Sequence, residues 1–249
     1  MKTIGVIPAR FDSTRFPGKP LAEIAGKPML QWVVEAAKEA TSLGRLMVAT
    51  DDQRIADLCN SIDVQVVMTD SQLPTGSDRV WQAVKDLDGE IIVNIQGDEP
   101  LLKAATIDQL LSPFTDSSVE MATLGRDINA QELKNENTAK IVTNQEGNAI
   151  YFSRLPIPYS RSKPESGVLP CVLKHIGMYA FRKDFLGRYC QHGPTQIEQL
   201  EGLEQLRALY IGAKIRVVKV QDESWGVDNP EDIHKIEAIL RKRDGGFPG

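Results

Sequence analysis

Cysteine and histidine are scarce, with three of each in 249 residues. Cys59, Cys171 and Cys190 show no CxxC spacing, which reads as reduced thiols in a cytoplasmic protein and not as a disulfide scaffold. His175, His192 and His234 form no HExxH, so a zinc hydrolase is disfavoured. No apolar run approaches the ~20 residues that a membrane span needs. The apolar stretch of MKTIGVIPAR stops at Pro8 and Arg10, too soon for a signal-peptide core. A basic excess is also missing. Lys plus Arg number 29 against 34 Asp plus Glu, a net charge of −5, which disfavours a nucleic-acid backbone as partner. Two nucleotide-binding fingerprints are absent as well. No GxGxxG occurs, and Ser13 and Leu21 stand where a Walker A loop requires its first glycine.

What is there is ordinary globular usage, 41% hydrophobic and 25% charged. A chain of this length buries roughly 70–75% of its unfolded surface and needs no staples. Thr3–Ile7, Leu46–Ala49, Val64–Met68 and Ile91–Ile95 are nearly continuous in Val, Ile and other apolar residues, as strands covered on both faces should be. Helical spacing fills the gaps: Met29, Leu30, Val33, Val34 and Ala37 after Pro28, then Ile55, Ala56 and Cys59, then Val80, Trp81 and Val84. This order predicts an α/β fold with a mainly parallel sheet and helices on both faces.

Beyond residue 115 the pattern changes. Val119–Leu124, Lys140–Thr143, Ala149–Ser153 and His175–Phe181 read as strands joined by loops, which predicts a smaller, mostly antiparallel insertion at about 120–180. Four prolines at 155–170 predict a long loop or arm. A helix is expected over Ile197–Tyr210 with Leu200, Leu203, Leu206 and Leu209 inward, then a strand at Ile215–Val220 and a helix at Pro230–Arg241. The expectation is one domain over 1–243, with 244–249 as a disordered tail.

In open parallel sheets, ligands sit beyond the carboxyl ends of the strands. Four polar segments follow the proposed strands: Pro8 to Pro20, Thr50-Asp51-Asp52, Gln96-Gly97-Asp98-Glu99-Pro100 and Gly226-Val227-Asp228. The first carries Arg10, Arg15 and Lys19 with Ser13 and Thr14, a set able to hold phosphate oxygens, although a solvated basic loop has the same composition. Asp98 after a strand and a glycine suits Mg²⁺, which favours one or two carboxylates, waters and substrate phosphates. Asp228 before Asn229-Pro230 also suits a turn or helix cap. Thr75-Gly76-Ser77-Asp78-Arg79 opens a helix that Ser77 could cap. His175 fits a satisfied core position, and Glu201, Glu204 and Gln205 fit the solvent face of the helix near 200.

The stretch IPARFDSTRFPGKPL resembles the opening signature of the 3-deoxy-manno-octulosonate (KDO) cytidylyltransferases. GKPML, VATDD, VVMT, TGSDR, IVNIQGDEPLL, MATL, YFSR, KHIGMYAF, LEQLRAL and GVDNPEDI follow in that family's order, so the resemblance runs nearly the whole chain. The related sialate enzymes share the IPAR start but continue with a Gly-Ser-Lys pattern, where this chain has Asp12-Ser13-Thr14-Arg15. The resemblance implies a nucleotidyltransferase-type sheet and Mg²⁺-dependent transfer of CMP from CTP to KDO. The products would be pyrophosphate and CMP-KDO for lipopolysaccharide biosynthesis. It also implies a cytoplasmic homodimer. By the same resemblance, Ala9, Arg10, Lys19, Ser77, Arg79 and Gln96 match nucleotide-binding positions, and Asp98 and Asp228 match the metal-binding aspartates. Lys19 joins those two aspartates in catalysis. Arg154, His175, Tyr179, Glu204 and Gln205 match positions near the sugar acid. His192-Gly193-Pro194-Thr195-Gln196 departs from the family's usual Ser-Pro, and the arm at 155–170 is poorly matched. An 8-amino-KDO or another acidic sugar therefore stays open as substrate, as does a non-catalytic nucleotide-binding regulator.

Overall fold

A computed structural model describes residues 1–12, 16–161, 169, 171–222 and 225–243. Ser13, Thr14, Arg15, most of the proline-rich arm and the tail at 244–249 lie outside the described residues. The chain opens with β1 (Thr3–Ala9), buried along nearly its whole length. A small hairpin follows, β2 (Glu23–Ile24) against β3 (Lys27–Pro28). In α1 (Met29–Lys38) the five apolar residues read from the sequence are all buried, and Pro28 is the cap preceding them. Next come β4 (Arg45–Thr50), α2 (Gln53–Ser61), β5 (Gln65–Met68), α3 (Gly76–Val84), β6 (Ile91–Asn94) and α4 (Ala104–Leu111). Then β7 (Met121–Asp127), α5 (Ala130–Lys134), β8 (Lys140–Thr143), β9 (Ala149–Ser153) and β10 (Val172–Arg182) follow. The chain continues through α6 (Lys183–His192), α7 (Gln196–Glu201), α8 (Leu206–Tyr210), β11 (Ile215–Lys219) and α9 (Asp232–Arg243).

Two compact units are formed, each from separated stretches of chain. One holds Lys2–Gly89, Asn94–Ile107 and Ser224–Gly249. In it β1, β4 and β5 pair in parallel in that spatial order, with α1 and α2 as crossovers. After β5 the chain returns past β1, where Ile95 N–H donates to Val6 O at 2.9 Å. Because crossovers are right-handed, this reversal puts α3 on the face opposite α1 and α2. Asp52 caps α2 by accepting from Arg54 N–H at 2.9 Å. The start of α3 is capped by Thr75, which accepts from Asp78 N–H, and not by Ser77. Ile24, Met29, Leu101, Val227 and Ile236 form one buried cluster, so the last segment of chain packs on residues near the first.

The other unit holds Met1, Glu90–Val93 and Asp108–Glu223. Here β10 pairs antiparallel with β7 and β8, β8 pairs antiparallel with β9, and β11 pairs parallel with β7. The antiparallel strands expected at 120–180 are thus present. A single helix over 197–210 is not. Gly202 takes a left-handed conformation at φ 61° and ends α7, and α8 starts four residues later. Leu203 and Leu206 are buried as expected, but Leu200 is 78% exposed.

Candidate active site

Two of the sequence's rim segments, 8–20 and 96–98, line an open cleft of about 410 Å³ in the parallel unit, and the other two reach it through Asp51 on Arg79 and Val227 on Lys19. Its lining includes Ala9 and Arg10 at the end of β1, Lys19, Arg79 on α3, and Gln96 and Asp98 just after β6. Lys19 Nζ donates to Asp98 Oδ2 at 2.6 Å and to Val227 O at 2.8 Å. Val227 N–H in turn donates to Asp98 O at 2.9 Å. One lysine and one backbone bond therefore tie the first loop, the strand-end loop and the late Gly226-Val227-Asp228 segment together. Asp228, exposed at its surface, follows directly on that junction. Its backbone N–H and that of Asn229 donate to Asp232 Oδ2, each at 3.1 Å.

Close backbone approach shapes the same rim. A Cβ on Gly97 would come within 3.2 Å of Pro8 O and of an Ile7 methyl, so any larger residue here would push the end of β1 by a few tenths of an ångström. Arg10 lies over the loop before α3, donating to Leu73 O at 3.2 Å and Pro74 O at 3.4 Å. Arg79 is fully buried and held at both ends of its fork, by Asp51 Oδ2 at 2.8 Å and by the Thr69 hydroxyl. Its Nε has no hydrogen-bond partner among the described residues. Ser77, also buried, accepts from Asn94 Nδ2 at 3.3 Å. Asp51 and Thr69 were not singled out by role in the sequence, although the VATDD and VVMT segments contain them. Asp52 is committed to Arg54, whose side chain holds its carboxyl below the usual range and which itself lies over the Phe11 ring.

The five sugar-acid candidates gather in the other unit. Tyr179 O–H donates to Gln205 Oε1 at 3.0 Å. Gln205 Nε2 stands 3.4 Å from His175 Nδ1, and His175 Nε2 stands 3.0 Å from Thr123 Oγ1. Burial lowers the His175 pKa to about 3, so the ring is neutral. Burial, and then the charge of Glu204, push the Tyr179 hydroxyl well up. Glu204 also offers its backbone carbonyl to Tyr189 O–H at 2.8 Å. Gln205 is buried, contrary to a solvent-face position.

Arg154 sits against the break between α7 and α8. Its Nε donates to Glu201 O at 2.8 Å and its two terminal nitrogens to Gly202 O and Glu136 O at 3.2 and 3.3 Å. Glu201 closes the clamp by accepting from Ser153 Oγ at 2.8 Å and from Arg154 N–H at 2.9 Å. Glu201 is therefore a structural partner of Arg154 and not a solvent-facing residue. Two of the five guanidinium hydrogens stay uncommitted by these bonds.

Among the described residues, no group of three or more His, Cys, Asp and Glu could hold a metal ion by itself. The cleft does present Asp98 on an open face. That fits a cation taking most of its oxygens from water and phosphate.

Comparison with known proteins identifies the family. A cytidylyltransferase family model matches residues 4–215. The 3-deoxy-manno-octulosonate cytidylyltransferase of Bdellovibrio bacteriovorus is 52% identical over 242 residues, covering 96% of this chain and 98% of its own. That of Nitratidesulfovibrio vulgaris is 47% identical, covering 97% of each chain. A solved structure of a CMP:2-keto-3-deoxy-manno-octonic acid synthetase complexed with CTP superposes with a TM-score of 0.92 at 38% identity, covering 98% of this chain and all of the other. This chain belongs to the 3-deoxy-manno-octulosonate cytidylyltransferase family.

Proposed function

We propose that this chain transfers CMP from CTP to KDO, releasing pyrophosphate and CMP-KDO, with Mg²⁺ as cofactor. The observation that carries the reading is the Lys19–Asp98–Val227 junction at the floor of a cleft lined by Arg10, Arg79 and Gln96. It puts cations and a carboxylate where a triphosphate and a divalent ion can share one site. The near-full-length relatives named for this activity support the same assignment.

In the reaction, the anomeric hydroxyl oxygen of the sugar acid attacks the α-phosphorus of CTP. A new oxygen–phosphorus bond forms, the bond to the β-phosphate oxygen breaks, and the hydroxyl proton is released. Arg10 and Lys19 donate to phosphate oxygens and stabilise the charge that grows on the departing pyrophosphate. Ala9, Ser77, Arg79 and Gln96 position the nucleotide, with Arg79 pre-set by Asp51 and Thr69. Arg154, Tyr179 and Gln205 orient the sugar acid, and His175 and Glu204 shape their surroundings. Asp98 and Asp228 would hold Mg²⁺, which supplies Lewis-acid neutralisation of phosphate and hydroxyl when bound. No covalent enzyme intermediate is needed, since positioning and electrostatics suffice. We further place the activity in the cytoplasm, in a homodimer; no described helix is long and apolar enough to cross a membrane.

The test is pyrophosphate release by the purified chain with CTP and Mg²⁺, with KDO compared against 8-amino-KDO and sialate. KDO should give the highest kcat/KM. Preference for another acid would move the assignment to that sugar, and tight CTP binding without turnover on any acid would make the chain a nucleotide-binding regulator.

A further inference from the structure

The break in the β7–β10 ladder singles out a residue that no role above assigns. Pairing runs in register to Ile176, opposite Leu124, and resumes at Tyr179, opposite Thr123, so Gly177 and Met178 have no counterpart on β7. Thr123, fully buried, turns its hydroxyl to this bulge, 2.9 Å from Met178 O and 3.4 Å from Ile176 O. Both are carbonyls and can only accept. A hydroxyl has a single proton, and here it goes to Met178 O. Thr123 Oγ1 therefore faces His175 Nε2, 3.0 Å away, as an acceptor, so that nitrogen must carry the ring proton. The ring is neutral, which leaves Nδ1 with a lone pair. Gln205 must then turn its NH₂ to Nδ1 and its Oε1 to the Tyr179 hydroxyl. The donors run one way, from Tyr179 through Gln205 and His175 to Thr123 and the Met178 carbonyl.

The opposite polarity would also satisfy Tyr179, Gln205 and His175, since a phenol, an amide and an imidazole can each reverse. Thr123 alone cannot, because its neighbours at the bulge are acceptors. We propose that Thr123 is a positioning residue: through the His175 tautomer it fixes which end of the Gln205 amide is presented, so that an N–H and not a carbonyl remains for an anionic sugar acid. This rests on the reading that Gln205 and Tyr179 meet that acid. One Gln205 amide hydrogen has no partner among the described residues, and it is the group left to bind a carboxylate or hydroxyl oxygen.

The experiment uses the full chain labelled with ¹⁵N-histidine. Long-range ¹H–¹⁵N spectra report which His175 nitrogen is protonated, and steady-state kinetics report KM for KDO and for CTP. The native chain and T123S should both show the Nε2–H form. T123V, which keeps the shape and deletes the hydroxyl, should shift His175 toward Nδ1–H and raise KM for KDO about tenfold, the scale of one lost buried hydrogen bond, while KM for CTP holds. T123S should restore the native KM. A native Nδ1–H form overturns the proposal, and that measurement needs no variant. So does T123V with an unchanged tautomer, or with a changed tautomer and a native KM for KDO. If the substrate reading itself is wrong, the native chain will not turn over KDO, yet the tautomer difference between T123V and T123S will uphold the hold of Thr123 on His175.

Discussion

Asp98 and Arg10 sit in the same cleft but differ in how their loss should register. Asp98 is anchored through its own carbonyl by Val227 N–H, independently of its carboxylate. Asp98→Asn should therefore keep the turn and lose the charge. Turnover should fall on the order of 10²-fold or more, as expected when a ligand of a highly charged transition state is removed. Pyrophosphate release at near-native rate from a folded Asp98→Asn enzyme would remove the metal role. Arg10 is exposed and, among the described residues, donates to the loop carbonyls of Leu73 and Pro74 at 3.2 and 3.4 Å. Arg10→Ala should thus weaken CTP more than KDO. Separate titrations of the two substrates check this, and the reverse order would count against the phosphate-loop role.

At the scale of elements, Gly202 gives a clean test. Its left-handed φ of 61° costs an L-residue about 1 kcal/mol or somewhat more. An added Cβ would meet Arg154 nitrogens at 3.8–3.9 Å, which is ordinary contact. Gly202→Ala should lower Tm by roughly 2–4 °C with little change in KM for the sugar acid, read by thermal unfolding beside steady-state assay. A large kinetic effect would mean that the clamp on Arg154 had shifted. The same residue explains one failure of the sequence reading. Leu200, Leu203, Leu206 and Leu209 keep helical spacing across it, and periodicity cannot sense a left-handed residue that redirects the chain. Strands β1 and β4 were legible because parallel strands are apolar on both faces and show it locally, whereas β5, at the sheet edge, is apolar in sequence yet leaves Gln65 and Met68 exposed. The meeting of Lys19, Asp98 and the segment at 226–228 was legible because each lies in a stretch that follows a proposed strand and the family resemblance pointed to the same stretches. The fixing of Arg79 by Thr69 was not, since no local pattern marks a lone threonine as a buried acceptor. Thr123 was hidden for the same reason, because its importance depends on a bulge in another strand.

For the whole molecule, three perturbed titratable groups predict how stability changes with pH. His175 has a folded pKa near 3 against an ordinary 6.5. As pH falls below about 6.5, the unfolded chain takes up a proton that the folded chain refuses, so stability declines through the window down to about 3. Glu132, held low by Arg126 and Lys174 despite the opposing effect of burial, adds its loss only as pH falls below its ordinary 4.5. At the alkaline end, burial raises the Cys59 thiol from 9.0 to about 11, so the stability of its neutral form is lost across that interval. Tm should therefore peak between the two limbs and begin to fall on the acid side before carboxylates titrate. His175→Gln should flatten the segment between about pH 6.5 and 5 and make the segment from there to about 3 shallower, leaving what the carboxylates contribute, as followed by calorimetry. An unchanged acid limb in that variant would show that His175 does not set it.

Lys19 and the carbonyl that holds it are 208 positions apart in the sequence. A ribosome must therefore reach Val227 before that bond to Lys19 can form, and a nascent chain stalled earlier carries the lysine with Asp98 as partner and without the late carbonyl. The late Val227 and Ile236 are also missing from such a fragment, although they complete a buried cluster with Ile24 and Met29.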